Sequence, residues 1–221
     1  FTAPSLDRKG PARFLRERLT RLGIPLVVYF FMLNPSLVYF VLRFQGVAES
    51  GYFRFMADHA LDYVGWGPLW FVLALLIFTF VYVPAAAMRK RRGETGAIFS
   101  FPTNKQMGVF VLAIGLFTYC LRMIYPVGSY FIGLQIGYFP LYIAFFVFGV
   151  RAYRGAWLER LDGRRASSWF RLAIGLIVAL PAIFVLDGAL GGSEGAFLGG
   201  LSWRALVYAL WEPVVCVGIC L

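Results

Sequence analysis

Glu212 interrupts the apolar run ALVYALWEPVVCVGICL, and no other residue of the chain puts chemistry in so unwelcoming a place. A carboxylate roughly eight residues, or about 12 Å, into such a run is costly in hydrocarbon and must be protonated, paired or turned toward water. It is either a working acid or base or a structural tie between helices, and Arg122 in the run FVLAIGLFTYCLRM is the partner such a tie would use. Arg122 alone has two further readings: its guanidinium could reach out to headgroups or clamp a substrate. Arg18 and Arg21 are three apart, hence on one face of a helix, and could grip phosphates bidentately or act as a plain basic anchor. Trp66 and Trp70 suit an aromatic belt at a membrane surface or stacking on a sugar ring, and Gln135 suits a hydrogen bond to a substrate or to a neighbouring helix. His59 is the only histidine. Asp58 adjoins it without a nucleophile at motif spacing, so it reads as a solvated loop residue. Cys120, Cys216 and Cys220 sit in apolar runs with no histidine to complete a metal site. Packing is their reading, and neither a metal nor a bound cofactor is expected. HExxH zinc motifs and glycine-rich phosphate loops are excluded.

The elements that must position these residues follow from composition. The chain is 60% apolar, 19% aromatic and only 14% charged, against about 25% charged in a soluble domain, which makes the bilayer its solvent. Runs of about 17–25 mostly apolar residues lie at 22–44, 68–87, 107–124, 128–150, 168–188 and 205–221, and predict an all-α bundle of six transmembrane helices forming one integral domain over 1–221. No connection is long enough for a separate soluble core. The outer loop 45–67 spaces Phe53, Met56, Ala60 and Tyr63 as a short amphipathic helix lying on the surface would. Asn34-Pro35, Pro140, Pro181 and Pro213 are expected to interrupt the first, fourth, fifth and sixth spans, and Gly133 and Gly137 to form a small-xxx-small helix surface.

The net charge of +10 raises nucleic acid as a partner, but position decides against it. Of 21 Lys and Arg, 17 fall in residues 1–21, 88–106 and 151–171, while Glu49, Asp58, Asp62, Asp187 and Glu194 share the opposite side with Arg43, Arg54, Arg122 and Arg204. The positive-inside rule places 1–21, 88–106 and 151–167 in the cytoplasm. Topology and attraction to anionic lipid account for the charge without nucleic acid.

Read together, these words resemble a known family. FTAPSLDRKGPARFLRERLTRLGIPL resembles the cytoplasmic start of the third helix in membrane acyltransferases of acyltransferase family 3, and GPLWFVLALLIF, QIGYFPLYIAFFVFGVRAYRGAWLERL and WEPVVCVGICL follow in that family's order. The resemblance spans essentially the whole chain. It implies an enzyme of about ten helices in a bacterial cytoplasmic membrane, which takes an acyl group, usually acetyl, from CoA on the cytoplasmic side. The acceptor is a hydroxyl of a glycan or other cell-envelope molecule, and glucan succinylation enzymes belong to the same group. Arg18 and Arg21 match the family's Arg-x-x-Arg pattern, associated with the donor. The general-base histidine belongs to a first helix that this sequence lacks. Phe1 matches the end of the second helix and Leu221 falls inside an apolar run, so the chain reads as a fragment, inactive by itself. Within this picture acyl-CoA is a cosubstrate at Arg18 and Arg21, Glu212 is the catalytic candidate, and Trp70, Arg122 and Gln135 are candidates to line the acceptor side. The competing reading is a transporter or flippase for a glycan or lipid-linked precursor, since an intramembrane acid and kinked helices also suit passage. A third is a scaffold that binds partners through its basic loops.

Overall fold

A helix that meets a proline gives up a backbone bond, and the first long helix of the chain does so twice. In a computed structural model, α1 (Thr2–Lys9) is followed by α2 (Pro11–Arg18), α3 (Ile24–Val28) and α4 (Asn34–Phe44), the last three continuous over Pro11–Phe44 through π turns at Leu19–Gly23 and Tyr29–Leu33. In each π turn the amide ahead of the proline reaches back five residues, Ile24 N–H to the Leu19 carbonyl and Asn34 N–H to that of Tyr29. The turn widens where the ring of Pro25 or Pro35 would press on the carbonyl four residues earlier. The helix begins at Pro11 rather than at residue 22. Its 34 residues make it about 51 Å long, more than a hydrocarbon core of about 30 Å, so its basic first turns extend beyond the apolar part.

The structure describes residues 2–47, 50–92, 100–131, 133–193 and 195–221; Glu49 and Glu194 of the acidic side lie outside them, as does 93–99 of the basic loop 88–106. Contacts sort the chain into two compact units, residues 1–96 with 132–134 and residues 97–131 with 135–221. In the first unit, Leu6, Phe14 and Val83 form a buried cluster covered by Leu15, Tyr82 and Ala86. Residues 52–63 form α5 (Tyr52–His59) and a 3-10 turn, Ala60–Tyr63. Phe53 is 86% exposed and Phe55 4%, so Phe55 is the side chain packed against protein. Phe55 meets the Tyr39 ring at 5.1 Å and stacks on Tyr63 at 5.5 Å. α6 (Trp70–Arg91) carries Pro84 in its interior.

The second unit contains α7 (Asn104–Ile124), α8 (Phe139–Arg154), α9 (Gly163–Ala189), α10 (Gly195–Leu198) and α11 (Trp203–Cys220), with α11 packed against both α7 and α9. α7 opens on a capping box: Thr103 Oγ1 accepts from Gln106 N–H at 3.3 Å and Gln106 Oε1 accepts from Thr103 N–H at 2.9 Å. Loss of such a cap costs about 1 kcal/mol, so Thr103→Ala is expected to speed amide exchange in the first turn of α7 while leaving its last turn unchanged.

Among the described residues six helices are long and apolar enough to cross a membrane, and none forms an extended sheet. The fourth differs most from expectation. It starts with a 3-10 turn at Ile136–Tyr138, and α8 follows from Phe139. Pro140 therefore sits in a first turn, where a missing N–H breaks nothing, and does not interrupt the span. Gly133 (φ +74°) precedes the helix, so it shares no helix face with Gly137; its missing side chain lets the Trp66 indole press against the backbone. Pro35 opens α4 after its π turn, and Pro181 and Pro213 lie inside α9 and α11 as expected.

Candidate functional site

α7 and α11 run antiparallel. Gly115 faces Ala209 and Leu210, while Met107 and Val111 cluster with Val217. Small residues at Gly115 and Ala209 let the backbones approach closely. That register would put the last turn of α7 opposite the first turn of α11, well before Glu212. Helical side chains lean toward their own N-terminus, however, and Arg122 uses its length to travel back along α7 until it meets Glu212.

The result is a pair enclosed by protein. Arg122 is 0% exposed and Glu212 6%. Arg122 Nη2 donates to both carboxylate oxygens of Glu212, at 3.0 and 2.8 Å, and Nε donates to the Gly137 carbonyl at 3.2 Å. Tyr138 and Tyr208 present their rings to the guanidinium, 4.7 and 5.1 Å from Cζ to the ring centres, an arrangement that stabilises a desolvated cation. Such a pair holds its charges only while both partners are present. Arg122 does not reach out to headgroups; Glu212 gives it a partner in the interior, and the tyrosines give it faces to lie against.

The other sequence candidates stand apart from this pair in several ways. Gln135 does not lie mid-span: it precedes the 3-10 turn that opens the fourth helix, and its Nε2 donates to the Tyr130 hydroxyl at 2.9 Å. Trp70 is the half-buried first residue of α6 in the first unit. Trp66 packs on Phe30 with ring centres 4.2 Å apart. Arg18 and Arg21 also belong to the first unit. Arg18 is half-buried, lies over the Phe14 ring at 5.3 Å and donates to Thr2 Oγ1 at 3.4 Å. Arg21 is exposed on the first π turn, near enough to Arg18 for their charges to repel. The widened turn means that α-helical spacing does not set their relation. His59 is exposed and faces Asp62 at 3.4 Å, while Asp58 pairs with Arg54 at 3.6 Å. The three cysteines are free, and no group of three His, Cys, Asp or Glu able to hold a metal ion occurs among the described residues.

Sequence reasoning missed Tyr138 and Tyr208 around Arg122. Tyr208 lies four residues before Glu212 and so on its helix face, a signal that could have been used. Tyr138 is placed by the start of the fourth helix and carried no such signal. Also missed was a second ion pair, Arg204 with Asp187 at 2.8 Å, which ties the start of α11 to the end of α9.

Six apolar helices and an interior Arg–Glu pair define a multi-pass helical membrane protein with charged chemistry inside one of its units. The model of acyltransferase family 3, described as an acyltransferase domain, matches residues 1–220. The chain belongs to that family. No curated protein and no solved structure matches it.

Proposed function

We propose that the protein transfers an acyl group, acetyl or succinyl, from a CoA thioester on the cytoplasmic side of a bacterial cytoplasmic membrane to a hydroxyl of a glycan or related cell-envelope acceptor. The observation that carries this reading is the family match over nearly the whole chain. In the transfer the acceptor oxygen attacks the thioester carbonyl, a C–O bond forms, the C–S bond breaks, and CoA leaves as the thiol with the proton that the hydroxyl gives up.

Arg18 and Arg21 are the donor-side candidates. Both guanidiniums lie on the basic stretch that the positive-inside rule assigns to the cytoplasm, where CoA resides, and each can donate to phosphate. The end of α7 then lies toward the outer side, and Arg122, Glu212, Gln135 and Trp70 are proposed for the acceptor side. Glu212 is proposed to orient or accept the proton of the acceptor hydroxyl, directly or through another base.

The test is transfer of isotopically labelled acetyl from acetyl-CoA to membrane glycan by the full-length protein and by its Arg18→Ala/Arg21→Ala variant. Transfer by wild type and its loss in the folded variant is the expected result. Wild type that transfers from neither acetyl-CoA nor succinyl-CoA returns the function to transport of a glycan precursor. Equal transfer by the variant moves the donor site elsewhere.

A further inference from the structure

The Arg122 guanidinium uses its hydrogen bonds unevenly. An arginine commonly holds a carboxylate with two nitrogens in a fork, yet here Nη2 alone takes both oxygens of Glu212 and Nε takes the Gly137 carbonyl. Nη1 keeps its two N–H donors, is sealed from solvent, and has no hydrogen-bond partner among the described residues. The guanidinium carbon lies over the rings of Tyr138 and Tyr208, and neither gives Nη1 a hydrogen-bond acceptor.

A second buried group in the same unit has the same deficit. Thr118 is 1% exposed, and its Oγ1 also has no partner among the described residues. A buried threonine in a helix ordinarily turns its hydroxyl to the carbonyl four residues back, as Thr79 does to Leu75 at 2.8 Å. Thr118 does not. It stands one turn before Arg122 on the same face of α7, on the side toward which a helical side chain leans. Leaving a buried donor unmet costs about 1–3 kcal/mol, and two such deficits on one helix face point to a common partner.

We propose that Arg122 Nη1 and Thr118 Oγ1 together bind an uncharged oxygen of the acyl acceptor, a hydroxyl next to the one that is acylated. The charge follows from the pair: Glu212 already neutralises Arg122, so an anion would meet a carboxylate instead of a free cation. A hydroxyl matches the two groups in kind, accepting from Nη1 and exchanging a hydrogen bond with Thr118, which both donates and accepts. This makes Thr118 a binding residue that favours a polyol acceptor over water, and it rests on the acyltransferase reading above.

The experiment uses full-length protein in its own membrane with labelled acetyl-CoA, and measures label in glycan against label released as free acetate. Thr118→Val keeps the side-chain shape and removes the hydroxyl; the expected result is a fall of about fivefold in the glycan-to-acetate ratio, consistent with loss of one hydrogen bond of about 1 kcal/mol. Thr118→Ser is expected to restore the ratio, and Thr79→Val to leave it unchanged. An unchanged ratio in folded Thr118→Val overturns the proposal, as does a loss that saturating acetyl-CoA repairs, which would assign the oxygen to the thioester carbonyl. Should Thr118→Val fail to fold, the hydroxyl has a structural role and the proposal also falls. Wild type that consumes neither acetyl-CoA nor succinyl-CoA removes the enzymatic reading itself, an outcome distinct from each of these.

Discussion

Arg122→Met is expected to destabilise the folded protein by about 3–5 kcal/mol, because it leaves the Glu212 carboxylate buried without its counter-charge. Glu212→Leu should do the same from the other side, stranding a guanidinium that is 0% exposed. The double variant Arg122→Met/Glu212→Leu removes both charges and fills much the same volume, and replacement of a buried pair by apolar side chains is often neutral or better. It is therefore expected to regain most of the lost stability in a detergent-unfolding titration. A double variant as unstable as the sum of the singles would show that the two charges do not depend on one another. The same set separates structure from chemistry: a stable double variant that no longer transfers acyl groups supports work by the pair beyond tying helices. Folded Glu212→Gln with wild-type turnover would remove Glu212 from the reaction.

One substitution made at two glycines is expected to give opposite results. In α11, a Cβ at Gly218 would stand 2.5 Å from the Trp169 carbonyl oxygen and 2.6 Å from the Ala173 Cβ. Trp169 meets it with backbone, which cannot swing aside, so Gly218→Ala must push α9 and α11 apart, at about 1–3 kcal/mol by the usual cost of overpacking. In α9, a Cβ at Gly175 meets nothing within 4 Å, and Gly175→Ala should raise stability by up to about 1 kcal/mol through helix propensity alone. Thermal unfolding of the two variants side by side gives the comparison. Equal shifts would mean that α9 and α11 do not meet at Gly218.

How much of this was legible in the sequence depended on whether a property is local. The six apolar helices were, since length and composition alone select them. The Arg122–Glu212 pair was legible as one of two alternatives, because each is a lone charge in a hydrophobic run and each needs the other more than it needs anything nearby. The start of the fourth helix was not: residues 128–135 are apolar enough in sequence to pass for part of a span, yet Gly128 and Gly133 take positive φ and the first helical turn begins only at Ile136. That start sets Gln135 ahead of the helix and brings Tyr138 to Arg122, neither of which the run of apolar residues records. Phe53 and Phe55 differ in burial because a neighbouring helix supplies Tyr39 to one of them, which no local pattern records. Arg18 and Arg21 were legible as charges, but their relation was not, since the π turn that changes it depends on how the chain accommodates Pro25.

Those π turns alter what a change of length means in the first long helix. Each i→i+5 turn holds one residue more than an α-helical turn, so each offsets the sequence by about 100° of rotation relative to an uninterrupted helix. Deleting a single residue from Leu19–Gly23 so that the bulge closes would therefore leave everything before it, Arg18 included, pointing much as it does now, whereas the same deletion in a regular α-helical turn would swing it by about 100° around the axis. For a chain compared with a relative lacking these bulges, the correct pairing of positions needs a one-residue gap at each. A gapless comparison would set residues side by side that point in different directions.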